Sequence, residues 1–136
     1  RNLAVVKVSV SNTSEVLTAA QSLVGRCDAM YVPADNTVIA AMDAMVKVSE
    51  EHKVPLLPGV SSNVEQCGFG TLGPDYYDIG VQSARLADRV LKGMNAGEIP
   101  VATATRFEYF FNKRSAAKSG VQIPDDLLKK AAKVYE

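Results

Sequence analysis

Residues 28–58 read DAMYVPADNTVIAAMDAMVKVSEEHKVPLLP, and the hydrophobic period changes twice along them. Residues 28–32, DAMYV, read as a short strand, and the Pro33 that follows cannot extend a central ladder because it lacks a backbone donor. From Asn36 to about Glu51 the period is helical. Val38, Ala41, Met42, Met45 and Val48 share one stripe, with Asp43, Lys47, Glu50 and Glu51 opposite it. Residues 54–58, VPLLP, return to an apolar strand. Strand, helix and strand with short connections make a βαβ unit, which calls for a parallel sheet and a right-handed crossover.

The same alternation extends outward. Residues 3–10, LAVVKVSV, read as a first strand with both faces covered, because the apolar run is almost unbroken. In 12–24, Val16, Leu17, Ala20, Leu23 and Val24 fall on one helical face, and Glu15, Thr18 and Ser22 on the other. Asn12 and Glu15 have the spacing of a capping box, and Gly25 supplies the stop. Downstream, residues 67–72 suggest a strand and 75–92 a helix with Ile79, Leu86, Val90 and Leu91 on its apolar side. The run NAGEIP at 95–100 reads as a connector and RFEYFFN at 106–112 as an aromatic strand. A short helix at 113–119 and a last helix from Pro124 to the terminus follow. The expected fold class is α/β, a three-layer parallel sheet flanked by helices.

Composition narrows the function. The 136 residues carry 15 Lys+Arg against 15 Asp+Glu, so no basic field exists to release counter-ions from a nucleic acid. At 47% hydrophobic the chain can bury a core, and no apolar run approaches the ~20 residues of a membrane span. The two cysteines, Cys27 and Cys67, have no C-x-x-C partner and no His neighbour. That excludes a zinc set and leaves a disulfide open. The lone histidine, His52, falls at the wrong end of its helix to serve any strand-end serine as base, so no catalytic triad assembles. The expectation is a protein that is not an enzyme and takes no cofactor.

In an open parallel sheet, ligands collect beyond the carboxyl ends of the strands. The loops there are Ser9–Ser14, Pro33–Asn36 and Gly59–Asn63, all short, small and polar. They bring Asn12, Asp35, Asn36, Ser61 and Ser62 to one edge as candidate ligand-binding residues. The competing reading makes Asn12 and Asn36 helix caps, the serines turn residues and Asp35 a solvated turn or an alternative helix cap. Asp35 is the sharpest candidate, since a carboxylate at a strand end can pair with an ammonium or accept from hydroxyls.

Gly68–Gly73 matches G-x-G-x-x-G, but Pro74 separates it from the helix and turn-like residues precede it, so it lacks the context of a dinucleotide fingerprint. The glycines read instead as places where a strand passes close to other backbone or bends at a hinge. Tyr76 and Tyr77, ahead of the helix at 75–92, suit either ligand stacking or the core, and the core is expected for at least one.

The combination VSNTSEV, DAMYVPADNTVIAAM, LGPDYYDIGVQSARLADRVLKG and IPVATATRFEYFFNKRSAAKSGVQIPDDLLKKA resembles the C-terminal half of an ABC-transporter substrate-binding protein. The nearest group is the type I periplasmic-binding-protein-like set that includes tryptophan- and tyrosine-binding lipoproteins. YVPADNT and DYYDIG are its most specific stretches. The resemblance implies a Rossmann-like lobe of an extracytoplasmic, periplasmic or lipid-anchored clamshell that closes on a small solute, an amino acid in the first instance, and presents it to a membrane permease. It places Asn12 and Asp35 or Asn36 against solute and the loop at Gly59–Ser62 along the cleft. It also implies a division into a lobe at 1–73, a crossover helix and connector at 74–105 that pack on a first lobe lying outside this sequence, and an aromatic strand with C-terminal helices at 106–136. An abrupt start fits truncation of an exported protein. Without that lobe, the face of Ile79, Leu86, Val90 and Leu91 is expected to drive self-association or to fold back on its own sheet. A ligand-sensing regulatory domain of the same fold and a Rossmann-like nucleotide-dependent enzyme are the alternatives.

Overall fold

The computed structural model describes residues 2–136. The βαβ unit read from residues 28–58 is its centre. Strands β1 (Met30–Val32) and β2 (Leu56–Pro58) pair in parallel, Met30 opposite Leu56 and Val32 opposite Pro58. The helical stretch between them is broken into α2 (Asn36–Ile39) and α3 (Met42–His52), because Ala41 leaves helical geometry at φ −117°, ψ 27°. Its stripe is as the period predicts, with Met42, Met45 and Val48 buried. α3 closes at Lys53 in the left-handed region, φ 53°, and buried Ser49 donates its hydroxyl to the Val54 carbonyl at 2.6 Å. That bond fixes the turn from α3 into β2.

α1 (Val16–Leu23) packs on α3 and adds Val16 and Ala20 to a core shared with Met30, Val32, Met45, Val48 and Leu56. Val16 and Val48 are each 1% exposed, and full burial of such a side chain contributes about 1.5–3 kcal/mol. Leu17, expected on the buried face, is exposed instead.

Beyond the loop after β2, a 3₁₀ turn (Ser61–Asn63) runs into α4 (Val64–Cys67), and β3 (Gly70–Pro74) begins a second sheet. There β4 (Phe107–Asn112) pairs antiparallel with β3 and parallel with β5 (Ala131–Tyr135). The α/β class is as expected. Its sheet is divided into a two-stranded parallel piece and a three-stranded mixed one. α5 (Tyr76–Leu91) links β3 to the connector, while α6 (Lys113–Lys118) and α7 (Asp125–Leu128) lie between β4 and β5. Asn112 joins these parts. It is 1% exposed, donates to the carbonyls of Val64 and Glu65 at 3.1 and 2.9 Å, and accepts from the Ser115 amide at 2.9 Å.

Further expectations are corrected. Residues 3–10 form no strand: β1 pairs only with β2 among the described residues, and Leu3 and Val5 stand in solvent. Val-rich alternation records strand propensity, but a strand exists only where a ladder partner meets it. The last helix stops at Leu128, and AAKVY continues as β5 because pairing with β4 outweighs the helix preference of Ala and Lys. Neither Tyr76 nor Tyr77 enters the core. Of the two outcomes expected for α5, packing onto its own sheet is at most partial: none of its residues is fully buried, and Ile79 and Leu86 are half-buried.

Candidate functional site

Parallel pairing puts the carboxyl ends of β1 and β2 on one edge, and the Gly59 amide, donating to the Val32 carbonyl at 2.7 Å, ties their two exit loops together. Beside this edge lies a cavity of about 300 Å³. Its floor is apolar, made by Val16, Ala20 and Leu23 of α1 with Val32, Val38 and Met45. Ser9, Tyr31 and Asp35 contribute to its walls. No β2 residue lines it, so it runs along the unpaired side of β1.

Asp35 caps α2. Its Oδ1 accepts from the Val38 amide at 3.0 Å, and Oδ2 makes no hydrogen bond among the described residues. One carboxylate oxygen is therefore spent on the helix and the other is free for a ligand cation or hydroxyl. The cap expected at Asn36 falls one residue earlier. Asn36 becomes the first helical residue, exposed and with no side-chain bond among the described residues. Asn12 is engaged in its own cap: Oδ1 accepts from the Ser14 amide at 3.1 Å and the Ser14 hydroxyl at 2.6 Å, and Nδ2 donates to Glu15 at 2.8 Å. Glu15 in turn accepts from the Ser11 amide at 2.8 Å, completing the capping box one residue upstream of its usual partner.

Ser61 and Ser62 open the turn before α4 on the same edge. Ser61 is half-buried against Gly73 and Ser62 is exposed. Of the five candidates, only Asp35 lines the cavity. Tyr31 and Ser9 line it and were not among them. Period-2 alternation at 30–32 carried the signal for Tyr31, since it puts that ring on the face opposite Met30 and Val32.

His52 ends α3 at the far edge, and Cys27 precedes β1 there, so neither reaches the cavity. Cys67 is buried. Burial, and then the nearby Asp43 carboxylate, push its thiol up to about 11, and it donates to the Asn63 carbonyl at 2.8 Å. Both cysteines are free thiols, and no group of three metal-ligating side chains occurs among the described residues. The glycine run is explained by packing: a Cβ on Gly68 would collide with Pro58, and one on Gly70 would lie 2.5 Å from the Phe111 ring. Among the described residues, no helix is long and apolar enough to cross a membrane.

The family model described as ABC transporter substrate binding protein matches residues 1–135. A tyrosine-binding protein of Clostridioides difficile (strain R20291) is 37% identical over 112 residues, covering 82% of this chain and 32% of its own length. A conserved domain protein of Vibrio cholerae superposes with a TM-score of 0.81 at 31% identity, over 93% of this chain and 43% of its own. A domain from Streptococcus pneumoniae, solved in complex with L-Trp, superposes with a TM-score of 0.79 at 30% identity, over 92% and 42%. The chain thus spans about a third of the curated relative and less than half of each solved structure.

Proposed function

Because this chain belongs to the ABC transporter substrate-binding protein family, we propose that it is the solute-binding lobe of an ABC import system. In this reading it works outside the cytoplasmic membrane, holds an amino acid at the carboxyl edge of β1 and β2, and hands it to a membrane permease. It is a binder and not an enzyme. A second lobe closes over the solute.

The observation that carries this reading is the apolar cavity of about 300 Å³ with one free carboxylate oxygen, that of Asp35, at its wall. Small-molecule sites are concave and mostly apolar, with a few polar groups that set orientation. The Asp35 carboxylate suits the ammonium of an amino acid and the apolar floor its side chain. Asn36, Ser61 and Ser62 stand on the same edge and serve as further contacts from the rim, and Asn12 can add only the Nδ2 hydrogen that its cap leaves over. The relatives that bind tyrosine and L-Trp favour an aromatic amino acid within that class.

A thermal-shift screen of this chain with amino acids and sugars tests the assignment, followed by Asp35→Ala and Asn36→Ala. The expected result is stabilisation by an amino acid that both variants weaken, Asp35→Ala more. If the best ligand stabilises both variants as much as wild type, the site is elsewhere.

A further inference from the structure

We infer that Tyr31 is a specificity-determining residue of the cavity, its ring forming a stacking wall for a planar, apolar solute group and Gly59 keeping the space its hydroxyl occupies. This rests on the reading of the cavity as an amino-acid site. Three observations support it.

First, Tyr31 is 68% exposed although it lies between Met30 and Val32, which are 2% and 3% exposed in the centre of the core. A ring of this size in mid-strand, facing away from the core, gains nothing from packing there. Second, Tyr31 borders the same cavity as Asp35, so a tyrosine and a carboxylate with one uncommitted oxygen share one space. A solute with a planar apolar body and an ammonium group matches that pair, the ring by offset or edge-to-face contact and the carboxylate by charge. The Tyr31 hydroxyl has no hydrogen-bond partner among the described residues and is free to bond solute as well.

Third, the position is enforced from the neighbouring loop. A Cβ built on Gly59 would lie 2.9 Å from the Tyr31 Oη and 2.9 Å from the Val32 carbonyl oxygen. Both are closer than such contacts tolerate, so any larger residue at 59 moves the phenol and strains the bond between the two strand exits. Gly59 thereby sets where the ring stands, and the ring sets which solute shapes the cavity accepts.

The test is a titration, followed by NMR, of this chain with L-tryptophan and with L-leucine. The variants are Tyr31→Phe, Tyr31→Ser and Gly59→Ala, each checked for an unchanged fold by circular dichroism. Wild type is expected to prefer tryptophan. Tyr31→Ser lowers tryptophan affinity by about three- to tenfold, the size of an aromatic contact, while leucine shifts by less than about twofold. Tyr31→Phe keeps the preference, and Gly59→Ala reduces it. A ratio of the two affinities that Tyr31→Ser leaves unchanged, whether both are retained or both fall together, overturns the role of Tyr31 and leaves the site standing. If wild type binds neither probe, the amino-acid reading fails and this inference fails with it.

Discussion

At the scale of single residues, Asp35 has two roles that substitution can separate. Asn and Asp cap helices about equally well, so Asp35→Asn keeps the acceptor for the Val38 amide and removes only the charge. The expected outcome is a melting curve close to wild type with amino-acid binding reduced at least tenfold, whereas Asp35→Ala also loses about 1 kcal/mol of stability with the cap. Equal binding by Asp35→Asn and wild type would show that the free oxygen is not used. Cys67 makes a pH prediction. Its thiol ionises near 11 in the folded chain against an ordinary 9.0, so folded and unfolded states are both protonated below pH 9 and the group is neutral to stability there. Between pH 9 and 11 the unfolded chain ionises first, and stability falls as pH rises. Denaturant titrations of wild type and Cys67→Ala should run parallel below pH 9 and diverge above it, wild type losing more. Asn112 is the third case. Replacing it with Ala removes three hydrogen bonds at a buried junction and strands their partners, for a loss of about 3 kcal/mol seen as a lower urea midpoint.

At the scale of elements, α3 and α5 differ in a way that their sequences do not reveal. Both carry an apolar stripe at helical spacing. Met45 of α3 is buried in the core, so Met45→Ala is expected to cost about 2–5 kcal/mol, whereas Leu91→Ala at the end of α5 should leave the thermal midpoint unchanged because Leu91 is 87% exposed. Periodicity reports which face of a helix is apolar and says nothing of what meets it. This is also why β1, β2 and α1 were legible from residues 12–58 while β5 and the segment at 3–10 were not. A βαβ unit is a local pattern, closed within some thirty residues, but β5 depends on β4, more than twenty residues away, and residues 3–10 on a ladder partner that alternation cannot supply. The α2–α3 break at Ala41 has no Gly or Pro to announce it. For the site, the edge was legible because topology dictates it. The cavity was not, since it arises where α1 passes the unpaired side of β1, and Tyr31, in mid-strand, lies outside the polar loops to which topology points.

At the scale of the whole molecule, α5 differs from α1 and α3, the helices around the core, in having no fully buried residue. Tyr77 at its start, Leu91 at its end and Val101 beyond it are almost fully exposed. Polar ties join α5 to the chain around it: the Asp75 amide donates to the Arg106 carbonyl at 3.0 Å, Arg106 pairs with Asp75 at 3.3 Å, and Gln82 donates to Thr105 of the connector at 3.0 Å. Pairs and hydrogen bonds with one partner in solvent, as Arg106 is, contribute little, about 0–1 kcal/mol each, and along the apolar stripe Ile79 and Leu86 are only partly covered while Val90 and Leu91 are exposed. Apolar surface of this extent favours association. The expected behaviour in solution is an apparent mass by light scattering that rises with protein concentration. Amide exchange across 76–91 should be fast when dilute and slow as the mass rises, while α3 stays protected throughout. Leu86→Lys, a charge on that stripe, should hold the chain monomeric without lowering its melting temperature. A monomer with fast exchange over 76–91 at every concentration would mean that this face does not drive assembly of the chain.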